Sequence, residues 1–175
     1  MQIVPAPEVS PNPKVVRWEQ LLEVRRRARA EGRTVVWTNG CFDLLHAGHV
    51  RNLQAARRLG DLLVVGVNSD GSVRQLKGPH RPIIPADQRA EVLAALECVD
   101  YVIIFDEPTP EASLTRLQPD IHCKGSDYAP PHGKPIPEAP LVAAYGGKLA
   151  FLPLLPALST TDIVRRIREL EGAES

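Results

Sequence analysis

Two histidines three residues apart are the residues of this 175-residue chain best suited to chemistry. His46 and His49 stand at the start of a predicted helix, where a spacing of three places both side chains on one face. Gly48 between them lets a ligand come close to the backbone. The free amides and the positive dipole end of a helix N-terminus attract anions. Together these features predict a cradle for phosphate.

The segment before this pair joins the first predicted strand to its helix and extends the cradle. Its predicted nucleotide contacts, with Gly48, are Thr38, Asn39, Gly40, Cys41 and Phe42. Asp43 is expected to contact the substrate or to orient the loop through hydrogen bonds, with a structural Asx turn as the alternative. Cys41 and the two histidines could also ligate zinc. No fourth ligand with local spacing is visible, so we predict no metal held by the protein itself.

A second anion site is predicted where the last helix begins. Ser159 is a natural N-cap, and the hydroxyls of Thr160 and Thr161 add to the free amides of the first turn. On its own such a sequence is usually only a helix cap.

The elements that must position these residues alternate along the chain. Apolar, β-branched runs without polar alternation are typical of parallel strands covered on both faces. Because helical patterns lie between them, we predict a single-domain, Rossmann-like, doubly wound α/β sheet of about five strands. The predicted strands are 34–38, 62–67, 101–105, 120–123 and 148–152, and the predicted helices are 47–59, 86–97, 110–117, 138–145 and 160–170.

The N-terminal part is expected to lie outside this alternation. Residues 1–13 hold four prolines and predict a loose arm. Residues 14–32 predict an amphipathic helix that Gly32 ends, and residues 33–172 form the domain that carries the motifs.

Ligands of doubly wound sheets bind at the carboxyl ends of the strands. Polar residues follow several predicted strands, so their loops should meet at one edge. We predict that Lys124, Gly125 and Asp127 meet the nucleoside, and that Asn68 and Asp70 meet the substrate.

The composition limits the kinds of binding partner and the cellular compartment that we expect for this protein. Basic and acidic residues number 21 each, so the formal net charge is zero and no nucleic-acid or anionic-membrane surface is expected. No apolar run is long enough for a membrane span, and the first residues lack a signal-peptide pattern. Cys41, Cys98 and Cys123 are odd in number and widely spaced, which indicates reduced thiols in a cytoplasmic protein.

The motifs resemble those of a known family. His46-Ala47-Gly48-His49 looks like the HxGH signature of the nucleotidylyltransferase superfamily, and 158–162 resembles its second, Ser/Thr-rich signature. Over about residues 33–170 the chain is most similar to D-glycero-β-D-manno-heptose 1-phosphate adenylyltransferases, and it is related to glycerol-3-phosphate cytidylyltransferases. The similarity lies in 38–43, 77–79, 81–83, 89–93, 124–128 and 145–148.

Three features depart from the family pattern. Residues 155–158 read Leu-Pro-Ala-Leu where Glu-Gly or Pro-Gly is usual, the Arg of related cytidylyltransferases is missing there, and Lys124-Gly125-Ser126 replaces Lys-Gly-Gly. These changes bear on base choice and loop geometry. The sugar-kinase domain often fused to such enzymes is not part of this sequence, so a stand-alone transferase is expected.

The resemblance implies transfer of AMP from ATP, with Mg²⁺, to D-glycero-D-manno-heptose 1-phosphate, giving ADP-heptose for lipopolysaccharide and pyrophosphate. It implies that His46 and His49 hold the triphosphate, that Ser159 and Thr160 hold its β and γ phosphates, and that a homodimer forms. Lys77 is the predicted cation between the α-phosphate and the incoming phosphate. Arg89 is a second candidate for a phosphate contact. A phosphate monoester is already ionised near neutral pH, so no general base is required.

Three alternatives stay open. A cytidylyltransferase acting on glycerol 3-phosphate or another polyol phosphate would use the same machinery. A non-catalytic nucleotide sensor would keep the cradle, although the presence of both histidines and Lys77 favours activity. An NAD-dependent oxidoreductase would need a GxGxxG fingerprint after the first strand, where this chain has Asn39-Gly40-Cys41-Phe42-Asp43.

Overall fold

The computed structural model describes residues 12–153 and 159–173 of the chain. Their core is one parallel sheet in the order β3-β2-β1-β4-β5. This arrangement confirms the predicted single-domain, Rossmann-like fold. The strands are β1 (Val35–Gly40), β2 (Leu62–Asn68), β3 (Tyr101–Phe105), β4 (Ile121–Gly125) and β5 (Lys148–Leu152).

Helices cover both faces of the sheet. Within the described residues they are α1 (Trp18–Ala30), α2 (Ala47–Arg57), α3 (Asp70–Lys77), α4 (Ala86–Ala94), α5 (Glu111–Leu117), α6 (Ala139–Ala144) and α7 (Thr160–Ala173). Residues of α2 and α4 share one hydrophobic cluster with the sheet. Residues of α1, α5 and α6 share a second cluster on the opposite face.

The strand sequences explain this two-sided burial. On β1, Val36 belongs to the first cluster, while its neighbours Val35 and Trp37 belong to the second. All seven residues of β2 are buried. Because successive side chains of a strand point to opposite faces, only a continuous apolar run fills both layers.

The chain order places a switch point at the centre of the sheet. β1 pairs in parallel with β2 on one side and with β4 on the other. The chain runs outward from β1 through β2 to β3, and it then crosses back to β4 and β5. The carboxyl ends of β1 and β4 therefore flank the crevice where such sheets bind ligands.

The prediction of a helix from residue 14 was wrong at its first turn. Val15 forms a parallel bridge with Val102 at the free edge of β3. The Val102 amide donates to the Lys14 carbonyl at 2.8 Å, and the Val16 amide donates to the Val102 carbonyl at 2.9 Å. This pairing satisfies backbone groups of an open sheet edge, which the first turn of a helix could not do. Gly32 follows the helix end with φ +66°, as predicted.

Other boundaries also differ from the prediction. α2 ends at Arg57 and α4 at Ala94, two and three residues earlier than expected. The sequence did not predict α3, because Asp70-Gly71-Ser72 reads as a turn and the segment has few apolar residues. The predicted arm lies almost wholly in residues 1–11, outside the described residues.

No helix among the described residues is both long enough and apolar enough to cross a membrane.

Candidate active site

A cleft of about 730 Å³ opens at the carboxyl ends of the strands. It extends from the loops after β2 and β3, across β1, to the loop after β4. Thirteen of the residues predicted for nucleotide or substrate line it: Thr38, Asn39, Gly40, Cys41, Phe42, Asp43, His49, Asn68, Lys77, Lys124, Gly125, Thr160 and Thr161. The strand ends thus bring distant parts of the sequence together, as the topology requires.

The two histidines form one stacked unit at the start of α2. Their ring centroids lie 3.9 Å apart with 22° between the planes. His46 is the N-cap residue of α2, yet its side chain makes no capping hydrogen bond. The Nδ1 atoms of His46 and His49 are buried without a hydrogen-bond partner among the described residues. Nε2 is therefore the ring nitrogen that a bound phosphate can reach.

Burial keeps this pair uncharged at neutral pH. It lowers the pKa of His49 to about 4, with a smaller contribution from the charge of His46. It also lowers the pKa of His46. A neutral imidazole with its proton on Nε2 donates a hydrogen bond to a phosphate oxygen and leaves Nδ1 bare. The pair is therefore built to donate hydrogen bonds, not to serve as a base.

The pH dependence of the free energy of unfolding should reflect the depressed pKa of His49. Between pH 6.5 and about 4 the unfolded chain binds a proton at His49 that the folded chain does not, so the free energy of unfolding falls as the pH drops. The contribution is complete above pH 6.5 and is lost as the pH falls through about 4. In urea unfolding, the free energy of unfolding of wild type minus that of His49→Gln should decrease on going from neutral pH to the acid side. A difference that stays constant or grows would contradict the assignment.

Phe42 shapes the turn that leads into the cradle. It has φ +48°, a left-handed conformation that a non-glycine residue adopts at a cost of about 1 kcal/mol or more. Its ring packs edge-on against His49 at 5.2 Å between centroids. Gly40 lies under the same ring, where a Cβ would come within 3.3 Å of Phe42. The strained turn thus fixes one side of the histidine pair.

The start of α7 docks on this cradle. The Thr160 hydroxyl donates to the carbonyl of Leu44, two residues before His46, at 3.3 Å. Ser159 caps the helix by accepting the Asp162 amide at 3.0 Å, as predicted for an N-cap. Two helix N-termini, those of α2 and α7, therefore meet at one cleft. The departures at 155–158 lie outside the described residues.

Asp43 holds the loop before α4. It is 6% exposed and accepts hydrogen bonds from Arg81 at 2.5 Å and from the amides of Ile83 and Ile84 at 2.7 and 3.1 Å. Burial raises the pKa of Asp43, but these hydrogen bonds outweigh it and hold the pKa below its ordinary value. Asp43 therefore stays ionised and orients the loop, one of its two predicted roles.

Arg89 is turned inward beneath the cleft. Its side chain is 1% exposed, and its guanidinium donates to the carbonyls of Ile84 and Asn68 at 2.8 and 2.9 Å and to that of Cys41. It also donates to Asp70 at 2.8 Å. The structure thus ties together the ends of β1 and β2 through Arg89. Neither Arg89 nor Asp70 lines the cleft, unlike the predicted substrate residues Asn68 and Lys77.

We expect Arg89→Met to lower the free energy of unfolding by about 3 kcal/mol or more, because it leaves buried carbonyl groups without a donor. Arg74→Met, at an exposed position on α3, should change stability little. Denaturant unfolding measures both. If Arg89→Met is as stable as wild type but binds substrate more weakly, the result would instead support the predicted phosphate contact of Arg89.

The charges in the cleft are mostly compensated. Arg81 is paired with Asp43, and the Lys124 ammonium is paired with Glu138 at 2.7 Å. Among the described basic residues of the cleft, Lys77 has no ion pair. It is exposed at the end of α3. Burial raises the pKa of the Cys41 thiol, and the positive charge of Lys77 partly opposes this. Lys77 is thus available to an incoming anion.

Four further predicted residues, His46, Gly48, Asp127 and Ser159, lie beside the main cleft and do not line it. Asp127 lines a smaller adjoining hollow of about 240 Å³, together with Lys124 and Gly125. It is also paired with Lys134 at 2.6 Å. Gly48 is buried in the first turn of α2.

Several residues of the cleft carry no role predicted from the sequence. They include Val73, Leu76, Arg81, Glu111, Tyr128 and Glu138. Arg81 and Tyr128 lie in the segments that carry the family resemblance, which is a signal for them. For Glu138 no motif gave a signal.

The described residues hold no group of three or more His, Cys, Asp or Glu side chains suited to a metal ion. The zinc alternative built on Cys41, His46 and His49 thus finds no support among them.

Comparison with known proteins adds independent findings. A family model described as Cytidylyltransferase-like matches residues 37–166. The bifunctional protein HldE of Streptomyces coelicolor is 56% identical over 143 residues, which cover 82% of this chain and 30% of that protein. The bifunctional protein HldE of Trichlorobacter lovleyi is 52% identical over 156 residues, 89% of this chain and 31% of that protein. The chain therefore spans less than a third of the length of these relatives.

Solved structures share the fold. The lipopolysaccharide core biosynthesis protein of Thermoplasma volcanium is 29% identical, with a TM-score of 0.56 over 71% of this chain and 98% of that chain. The pantoate-beta-alanine ligase of Francisella tularensis is 15% identical, with a TM-score of 0.52 over 89% of this chain and 77% of that chain. At this identity the second likeness concerns the fold alone.

Proposed function

This chain belongs to the cytidylyltransferase-like family, and we propose that it transfers AMP from ATP to a sugar 1-phosphate, D-glycero-D-manno-heptose 1-phosphate, with release of pyrophosphate. The products are ADP-heptose and pyrophosphate. The reaction is attack of a substrate phosphate oxygen on the α-phosphorus of ATP.

One observation carries the proposal. The stacked histidine pair borders the cleft through His49, and the start of α7 borders it through Thr160 and Thr161. A hydrogen bond from Thr160 to Leu44 joins the two segments. Two helix N-termini and two imidazole donors suit a chain of phosphates. Asp43, the described carboxylate nearest in sequence to the histidines, is held by Arg81 and does not suit the role of a base for a neutral nucleophile. A nucleophile that is already ionised fits this chemistry.

The proposal gives each of these residues a role. His46 and His49 donate to the α-phosphate, where charge builds up in the transition state. Ser159, Thr160 and Thr161 hold the β and γ phosphates at the start of α7. Lys77 binds the incoming phosphate and aligns it with the α-phosphorus. Thr38, Asn39 and Gly40, at the end of β1, border the nucleotide.

Heptose phosphate as the acceptor rests on the relatives. About half of the aligned positions are identical to proteins named HldE, and a structural neighbour is titled a lipopolysaccharide core biosynthesis protein. ATP, in this proposal, enters as its complex with Mg²⁺, whose charge offsets that of the phosphates. Three free cysteines among the described residues fit a cytoplasmic site of action. A homodimer is also part of the proposal, and light scattering of the purified protein tests it.

A pyrophosphate-release assay tests the proposal. ATP and CTP, each with magnesium, are paired with D-glycero-D-manno-heptose 1-phosphate and with glycerol 3-phosphate. We expect release with ATP and the heptose phosphate. Release only with CTP would support the second candidate, a cytidylyltransferase, which the description of the matching family favours. Nucleotide binding without release in any of the four pairs would support the sensor alternative.

A further inference from the structure

A buried carboxylate lies behind Lys124 at the nucleoside end of the cleft. Glu138 precedes α6, and its side chain is 3% exposed. One of its oxygens, Oε1, accepts the Lys124 ammonium at 2.7 Å and the His122 ring nitrogen Nε2 at 3.1 Å. His122 and Lys124 are two apart on β4, so both side chains point to the face that α6 covers. Burial raises the pKa of Glu138, but these two hydrogen bonds bring it down to about 2.

The cluster pairs one carboxylate with one ammonium. His122 is fully buried and donates from Nε2 to the carboxylate. Its Nδ1 is also buried and has no partner among the described residues. Among the described residues, the ring therefore meets the cluster through Nε2 alone. The Glu138 carboxylate faces the Lys124 ammonium, and the two charges compensate each other.

The surroundings of Lys124 also suit a contact with the nucleoside. Its ammonium lies 4.4 Å from the ring centroid of Tyr128, which fixes a second direction of the group. Lys124 and Gly125 border both the main cleft and the smaller hollow. That hollow is also lined by Leu53 and Leu152, whose apolar side chains suit a nucleobase, and by His49, so it adjoins the proposed phosphate site.

We propose that Glu138 is a positioning residue that holds Lys124 as a neutralised, directional donor for the nucleoside of the bound nucleotide. The phosphates are then left to the histidine pair, to α7 and to Lys77. Lys124 has three N–H donors, and with one given to Glu138 and one facing the Tyr128 ring, the third is aimed at the ligand. This inference rests on the proposed function, since it assumes that a nucleoside triphosphate occupies the cleft.

Calorimetric titration of ATP and of inorganic tripolyphosphate, which lacks the nucleoside, tests the inference. Glu138→Gln keeps the size of the side chain and removes its charge. We expect the ATP Kd to rise about tenfold, the size of one lost charge-assisted hydrogen bond. The tripolyphosphate Kd should stay unchanged or fall, because the Lys124 charge is released. Equal weakening of both ligands would overturn the inference.

Two further variants distinguish a positioning role of Glu138 from a general effect on the structure. In the Lys124→Met background, Glu138→Gln should weaken ATP binding no further, because Glu138 acts through Lys124. Glu23→Gln is a matched control, since Glu23 also accepts two basic side chains, Arg26 and Arg27, but lies on the outer surface of α1. It should leave both affinities unchanged.

The same titrations distinguish the two proposals. A wild-type protein that does not bind ATP would overturn the proposed function, and the inference with it. If wild type and Glu138→Gln bind ATP equally tightly, the inference is overturned and the proposed function is not. A full additional effect of Glu138→Gln in the Lys124→Met background would also overturn it.

Discussion

Replacing His49 by alanine is expected to lower kcat for pyrophosphate release at least ~100-fold, the effect typical of losing one preorganised transition-state donor. His46→Ala should have an effect of the same order. The two rings stack at 3.9 Å and are held in place by Phe42 and by the first turn of α2, so each donor is fixed before the substrate arrives. The reaction gains from this arrangement because no reorganisation is needed when charge builds up at the α-phosphate.

The kinetic comparison of these variants with wild type must distinguish a loss of catalysis from a loss of folded protein. Thermal unfolding of each variant shows whether the protein is intact at the assay temperature. His132→Ala, at an exposed histidine outside the cleft lining, serves as the control and should retain wild-type turnover. Near-normal kcat in folded His46→Ala and His49→Ala proteins would remove the basis of the proposed mechanism.

Lys77→Ala is expected to lower kcat by about 100-fold or more, because it removes a cation that aligns the incoming phosphate with the α-phosphorus. Among the described basic residues that line the cleft, Lys77 lacks an ion pair, so no neighbour compensates for its charge. Steady-state kinetics with varied sugar phosphate measures the effect. Arg74→Ala, about one turn earlier on α3 and outside the cleft lining, is the matched control.

The two variants should differ in a second respect. Loss of Lys77 should raise the KM for the sugar phosphate, since the incoming phosphate loses its cation, whereas Arg74→Ala should leave it unchanged. Equal kinetics of the two variants would mean that Lys77 contributes only to the general charge of the surface.

Much of the site could be predicted because its residues follow strands. The apolar runs of β1 and β2 are continuous and unambiguous, and any residue after such a strand must reach the carboxyl edge of the sheet. Thr38, Asn68 and Lys124 could therefore be predicted at the cleft without any contact information. The histidine spacing and the N-cap at Ser159 are local features, which sequence shows directly.

Long-range pairing explains what the sequence could not show. Arg89 looks the same in sequence as an exposed basic residue of a helix, and only the folded chain reveals the carbonyls of Ile84, Asn68 and Cys41 around its guanidinium. Lys14 and Val16 have a helical pattern, but they pair with β3, a strand more than eighty residues away. Glu138 meets Lys124 across fourteen residues, in a loop without a motif.

The identity of the transferred phosphoryl group decides whether the histidine pair acts on the α-phosphate. ATP labelled with ³²P at the α-phosphate and ATP labelled at the γ-phosphate are each incubated with the protein, magnesium and D-glycero-D-manno-heptose 1-phosphate. We expect the α label to appear in the sugar product and the γ label to appear in pyrophosphate. Transfer of the γ label to the sugar would show that the cleft cleaves the other end of the triphosphate, and it would contradict the assignment of the histidine pair to the α-phosphate.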